Sequence, residues 1–461
     1  MGKYKRIIGF CLGILLGLLI WFVPLAGLSP QGHACLALSL GTVIFWAFGV
    51  AQPGYVSGLY LLGLAVFDVA PKTLIFSTWT TSMMYLIIGA YLIATAVRES
   101  GLGERIAYWY ISKYVTNYNS IIISIFALTF ILSLLIPHPW PRAFLIMSVM
   151  AVVIKSADMP RDDAVKIGFT VFTASIPVSM IFLTGDASIN PLAAQYCLPT
   201  EVGWIEWFKV MGIPMILTSI ITMFMLMTMF KPTKEVSINQ QAILEKRESL
   251  GAMTGKEIRT AFWVILAIIL WMTDSIHGID IGWVTLFIAV MMAMPKIGDI
   301  LTPASWSAVP VQTLLFLTAA VAIGRVGGQT GMNTWLAQTL LPSAVPENMF
   351  ILGAFITVIS IAIHMCFGSV VAVMGIVIPA MLAFTETLGI SPIIPVMIAY
   401  TAINAHFILP FHNLAILVGE GEDNGMYSEK ETIRFGLPYT LVLFVITCAI
   451  QLPWWKFIGL W

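Results

Sequence analysis

Arg142 sits in an unusual setting: Pro137-His138-Pro139-Trp140-Pro141-Arg142 interrupts two apolar stretches, Tyr118 to Ile136 and Ala143 to Ile154. A guanidinium at membrane depth is unfavourable by about 2.5 kcal/mol or more, so a role in binding is the default reading. Its planar fork suits a carboxylate or another small anion. The alternative is a side chain that snorkels to the interface. Four of the six histidines lie at comparable interruptions: His138, His364, His406 and His412. Imidazole changes charge near neutral pH, so it can trade a proton against a charge on a ligand. His138 and His412 stand at a tip and a break, where a water-filled site can reach them; His364 and His406 are expected within helical stretches, where an interhelical hydrogen bond is the simpler use. Asp186 is the only carboxylate inside either break, either an ion-pair partner for Arg142 or a cap for the half-helix that follows Gly185. Asn190 and Asn413 can cap half-helices and donate to a carboxylate. Ser188 in the first break and Gly368 and Ser369 at the second tip complete the expected ligand set, with Asp186 and His138 expected to couple binding to a second charge.

Other chemistry finds no residues to carry it. No two histidines share i, i+4 spacing beside a Cys or carboxylate cluster, so a metal centre is not expected. A nucleophile elbow and a phosphate loop are missing, so neither an enzyme nor a cofactor is expected, and no nucleic-acid partner. The five cysteines are scattered without Cys-x-x-Cys and read as free, packed thiols.

The elements that must position these residues are membrane helices. Hydrophobic residues make up 59% of the 461 and charged residues only 10%, so the bilayer is the natural solvent. Apolar runs long enough to cross recur at Ile7 to Leu28, Met83 to Val97, Val210 to Phe230, Val264 to Trp271 with its flanks, and Leu437 to Leu452. The first lacks a small-residue cleavage site and reads as a retained helix rather than a signal. Aromatic and Met residues are assigned to packing and lipid, with Trp at the interfaces. With about eleven crossings starting inside, and one hairpin dipping in from each side, eighteen of the 23 Lys and Arg fall inside and four outside. Arg142 is the one left at membrane depth. This bias places the N-terminus in the cytoplasm of a cell membrane, the bacterial inner membrane if the source is bacterial.

The chain reads as two halves. Ser100-Gly101-Leu102 recurs as Thr330-Gly331-Met332 at an offset of 230 residues, and the same offset carries Pro137–Arg142 onto Phe367–Ala372. The expected division is 1–230, with a hairpin at about 118–155 and a broken helix at about 164–196; a polar cytoplasmic linker, 231–260; and 261–461, with a hairpin at about 348–385 and a broken helix at about 392–419. Broken helices are Thr184 to Pro191 and Pro410-Phe411-His412-Asn413. Unpaired backbone within hydrocarbon is tolerated only where protein, water or ligand satisfies it, and paired breaks in inverted halves point to a midplane binding site. The fold class is thus all-α and polytopic, with inverted repeats, two re-entrant hairpins and two broken helices.

This order of elements, with Gly368-Ser369-Val370-Val371-Ala372 through Ile378-Pro379 and Pro410-Phe411-His412-Asn413, resembles the divalent-anion/sodium symporter family over nearly the whole chain. The resemblance implies secondary transport of a di- or tricarboxylate or sulfate by elevator-like movement, in a homodimer among membrane lipids. Each tip in that family carries Ser-Asn-Thr followed by Ala-Thr, with Pro ten residues after the Ser. Spacing to Pro379 leaves Ser369, Val370 and Val371 at the second tip, and Pro137–Arg142 replaces the first motif altogether. Sodium needs several oxygen ligands, and the valines offer no side-chain oxygen. Sodium-independent anion exchange or proton coupling is the expectation, sodium-coupled symport the alternative, and an anion channel the alternative of another class.

Overall fold

The computed structural model describes residues 2–198, 200–340, 345–366 and 369–461. Within these residues the chain is helical with no strand. Seven helices are long and apolar enough to cross a membrane, and five further apolar helices are 10–17 residues long. The first helix ends at Phe22, short of the expected Leu28, because Pro24 and Gly27 (φ +82°) turn the chain before Pro30 starts the next helix.

Each half holds a helical hairpin. The first pairs Tyr118–Ser133 with Pro139–Ser156, and the second pairs Met349–Cys366 with Val370–Thr385. Pro137 cannot extend the incoming arm, whereas Pro139 fits the first turn of the returning one. Returning arms start from side-chain caps: His138 Nδ1 accepts from Trp140 N (3.4 Å), and Ser369 Oγ accepts from Ala372 N (3.4 Å).

A broken helix follows each hairpin. Arg161–Ser179 gives way to a short 3-10 turn, Leu183–Asp186, and then to Asn190–Tyr196. Ile393–Asn404 gives way to a similar turn, Pro410–His412, and then to Leu414–Gly419. His406 therefore lies in the second break and not in a helix, a correction to the sequence expectation; His364 is helical, near the end of its arm. One asparagine ties each break together. Asn190 Nδ2 donates to Ser179 O (2.8 Å) and Phe182 O (2.9 Å), while Asn413 Nδ2 donates to Asn404 O (2.8 Å). The bonds to Ser179 O and Asn404 O satisfy carbonyls orphaned where the first half-helix stops.

Corresponding bends precede the hairpins. Gly101 (φ +82°) and Gly331 (φ +80°) adopt the left-handed conformation and separate a long helix from a short one in each half. Around these elements, Ser82–Ser100 packs along Ile281–Ala293 through small residues. A Cβ on Gly282 would fall 2.0 Å from Ser82 O, and one on Gly89 2.8 Å from the Thr285 carbonyl carbon. Close backbone approach through glycine is how membrane helices associate without a hydrophobic driving force. Pro30–Phe48, Pro53–Val66 and Val311–Gln329 bury their own apolar cluster, including Cys35, Leu64 and Val326.

The polar middle segment is not featureless. It contains the helix Gln240–Glu248 and is held to the short helix Leu102–Tyr114 by Arg105, whose guanidinium binds Glu257 (2.6 and 3.1 Å) and the carbonyls of Leu250, Gly251 and Ala252. The cysteines are free, but only Cys35 and Cys197 are buried; Cys11 and Cys366 are exposed, which corrects the expectation that all are packed.

Candidate functional site

Both tips and both breaks meet at one cavity of about 420 Å³. From the first half, His138, Pro139 and Trp140 at the tip and Asp186, Ser188 and Ile189 at the break form its wall. The second half supplies Ser369, Val370 and Val371 at its tip, and Phe411, Asn413 and Leu414 at its break. Two return arms, 18 and 16 residues long, thus open onto the cavity with their N-terminal ends. Helix N-termini present a partial positive charge and free N–H groups, the end of a helix that favours an anion.

Five expected residues line this cavity: His138, Asp186, Ser188, Ser369 and Asn413. His138 rests between Tyr91 and Trp140, with ring centroids 5.1 and 4.8 Å apart, and its capped Nδ1 leaves Nε2 to carry the neutral-ring proton. Asp186 braces the turn ahead of Asn190–Tyr196, a helix that starts from Ile189 without a side-chain cap. Its Oδ1 accepts from Ser188 N (3.0 Å) and Ile189 N (3.3 Å), and no ion pair to Arg142 forms among the described residues. Asn413 Oδ1 accepts from Ala415 N (2.9 Å) and its amide braces the break, yet the residue still borders the cavity.

Three expected ligands are placed elsewhere. Arg142 is fully buried behind the first tip, where Nη1 donates to Ile136 O (3.0 Å) and Gly185 O (3.2 Å), joining the tip to the break. Its Nε and Nη2 have no hydrogen-bond partner among the described residues. Asn190 is also fully buried, with its amide group on two carbonyls and its Oδ1 receiving the Tyr400 hydroxyl, which leaves no donor for a ligand. His412 turns inward, its Nδ1 accepting from Ile408 N (3.2 Å) and Leu409 N (3.1 Å). There it joins His364 and His406: ring centroids lie 5.2 to 5.5 Å apart, and His364 Nδ1 meets His406 Nδ1 at 3.1 Å. Gly368 lies outside the described residues.

Sequence reasoning missed several wall residues. Tyr91, whose hydroxyl meets Ser188 Oγ at 3.1 Å, comes from Ser82–Ser100, a helix without any local motif. Gln312 and Thr313 come from the start of Val311–Gln329. Asn404 carried a readable signal, being the last residue of an otherwise apolar helix immediately before a break.

Among solved structures, the crystal structure of the Alcanivorax borkumensis YdaH transporter resembles this chain with a TM-score of 0.53 at 14% sequence identity, covering 99% of this chain and 98% of that one. With two hairpins and two broken helices around a shared cavity, the fold is that of a polytopic membrane transporter. The sequence pattern of the family described as "Sodium:sulfate symporter transmembrane region" matches residues 4–461, and the chain belongs to this family, the divalent-anion/sodium symporters. Relatives include the chloroplastic dicarboxylate transporter 1 of Arabidopsis thaliana, 25% identical over 96% of this chain and 82% of that protein. The putative malate transporter YflS of Bacillus subtilis is 23% identical over 99% of this chain and 97% of its own length.

Proposed function

We propose that this protein is a secondary active transporter of small dicarboxylates, with tricarboxylates as the neighbouring class, moving by an elevator-type shift of its hairpins and broken helices against the other helices. The observation that carries this reading is the cavity bounded by tips and breaks of both halves, with a buried guanidinium behind one tip. Two return-arm N-termini, the Ser188 and Ser369 hydroxyls and His138 Nε2 provide donors for two carboxylates. Names of the relatives, a dicarboxylate and a malate transporter, agree in substrate class. The division into 1–230, a linker and 261–461, and a homodimer in the bilayer, belong to the same proposal. Uptake of labelled succinate, malate, citrate and sulfate into proteoliposomes tests it, and no accumulation or exchange of any carboxylate would overturn it.

Transport is expected to be independent of sodium, because Val370 and Val371 stand in the cavity wall where oxygen ligands are needed, and Arg142 is already a cation. Replacing sodium by choline at fixed pH is expected to leave the uptake rate within about twofold, far less than the roughly tenfold loss that removing 1.4 kcal/mol of binding would produce. Loss of flux in choline would instead support the family's sodium-coupled mode, working through backbone carbonyls alone.

The Lys and Arg bias orients the linker toward the cytoplasm. Ser237 is exposed in this segment, so Ser237→Cys, in a background with all five native cysteines replaced, is expected to stay unlabelled by impermeant maleimide added to intact cells and to react after permeabilisation. Labelling in intact cells would reverse the orientation of the whole chain.

A further inference from the structure

His364, His406 and His412 are all fully buried, and no described residue bonds to the Nε2 of any of them. They fill the second-half counterpart of the place Arg142 fills in the first. Arg142 joins the first hairpin, at Ile136 O, to the first break, at Gly185 O. The His364–His406 contact joins the second hairpin to the second break. Both lie just behind the cavity wall: Phe411 and Asn413, on either side of His412, border the cavity, as do Ser369 and Val370 at the tip that His364 precedes. One half therefore carries a permanent cation at the hairpin–break junction, and the other carries imidazoles.

We infer that His364 and His406 form a proton-binding site that takes up one proton beside the anion cavity and so couples substrate movement to proton movement. This rests on the transport reading above, which it extends by naming the coupling site. The geometry fixes the stoichiometry. At 3.1 Å, one Nδ1 donates its hydrogen and the other accepts with its lone pair. The donor ring then has a bare Nε2 and the acceptor ring an Nε2–H. An added proton goes to the bare Nε2, making that ring an imidazolium whose Nδ1–H still donates to its partner. A second proton would have to enter the accepting Nδ1, setting two N–H groups against each other. The pair therefore titrates as a unit that gains a single proton. His412 stays neutral in this arrangement, since its Nδ1 already accepts two backbone N–H groups.

The surrounding groups leave this charge to the anion. The second return arm carries no titratable side chain, the helix Ile393–Asn404 carries only Tyr400, and the incoming arm carries only His364 and Cys366. On the C-terminal helix, Tyr439 is buried and Cys448 half-buried, while Glu429, Lys430, Arg434 and Lys456 are exposed and Glu431 half-buried near its start. The helix Leu414–Gly419 packs against Arg161–Ser179 and Pro139–Ser156, where Asp163 is held by Lys166 and Thr233, and Arg142 is the cation at depth; Lys155 and Arg161 lie toward the ends. Arg142 and Asp186 offset one another in formal charge, and His138 is the one other imidazole at the cavity. A dianion entering this region is favoured by added positive charge, and water supplies it as a proton on the pair, released on the opposite side as the anion leaves.

The test joins flux to direct titration. In proteoliposomes with the outside more acidic than the lumen, the wild type is expected to accumulate succinate with uptake of protons read by an internal dye. His364→Asn and His406→Gln are each expected to lose gradient-driven accumulation by tenfold or more while retaining succinate counterflow at equal pH. His138→Gln is expected to weaken succinate binding and keep the gradient response. Undiminished accumulation in both pair variants overturns the inference. Independently of transport, nitrogen-15 histidine spectra of the detergent-purified wild type are expected to show a bridged Nδ1 pair that gains one proton as the pH is lowered over the range in which the protein stays folded. A pair that gains none there, or gains two, also overturns it, even where a variant fails to fold. If the wild type carries no carboxylate yet shows this titration, the transport reading has failed and the proton site has not.

Discussion

Arg142→Gln is expected to lower apparent succinate affinity by roughly 100-fold, corresponding to about 2.7 kcal/mol, within the range for hydrogen bonds to a charged group. Arg142→Lys is expected to lose nearly as much. The guanidinium is fully buried, only Nη1 is partnered, and Asp186 is engaged by two backbone N–H groups of its own turn without pairing to it. A buried cation left this way is unfavourable until an anion arrives, so its charge favours the loaded site. Gln preserves some hydrogen bonding and removes the charge. Lysine preserves the charge but cannot reproduce a planar group with one nitrogen on the two carbonyls of tip and break and others free. A snorkelling arginine predicts otherwise, since lysine snorkels equally well. Succinate affinity measured by binding in detergent, with thermal unfolding followed alongside, separates these readings; unchanged affinity in both variants would remove Arg142 from anion recognition.

Gly185→Ala is the second variant with a large expected effect. A Cβ at this position would lie 2.4 Å from Ser179 O, a backbone atom that cannot swing aside as a flexible side chain can. The first break must open, and with it moves Gly185 O, one of the two carbonyls that Arg142 holds. Overpacking of this kind costs about 1–3 kcal/mol, and succinate uptake per inserted molecule is expected to fall tenfold or more. The loss and that of Arg142→Gln should also be non-additive, because both act on the same contact. Wild-type rates in Gly185→Ala, or strictly additive losses in the double variant, would show that the packing of the first break and Arg142 act separately.

Several parts of this protein were legible in the sequence for reasons that are local. Hydrophobic composition and runs of membrane-crossing length need no tertiary information, because the bilayer imposes length and polarity on each helix separately. Proline flanking His138, glycine in the left-handed region at residues 101 and 331, and the turn-forming residues of the two breaks act on backbone geometry within a few residues. The repeat was legible because an offset of 230 residues preserves such local signals. Family membership followed from the order of those elements.

Which way each side chain turns at a tip or break was decided by tertiary contacts. Arg142, Asn190 and His412 are close in sequence to the cavity but face its rear, since carbonyls and N–H groups freed by the breaks compete for them and lie nearer than any ligand. Tyr91 and Gln312 reach the wall from helices outside both hairpins and both breaks, which no spacing along the chain could announce. Likewise His364 and His406, 42 residues apart, become a hydrogen-bonded pair only when the second hairpin closes on the second break. The sequence by itself thus determined the membrane class, the helical elements and their interruptions, since these depend on local polarity and backbone conformation; the tertiary structure alone decided which polar groups face the cavity and which satisfy one another behind it, because in a water-poor interior each freed backbone group takes the nearest polar partner that the packing of distant helices brings to it.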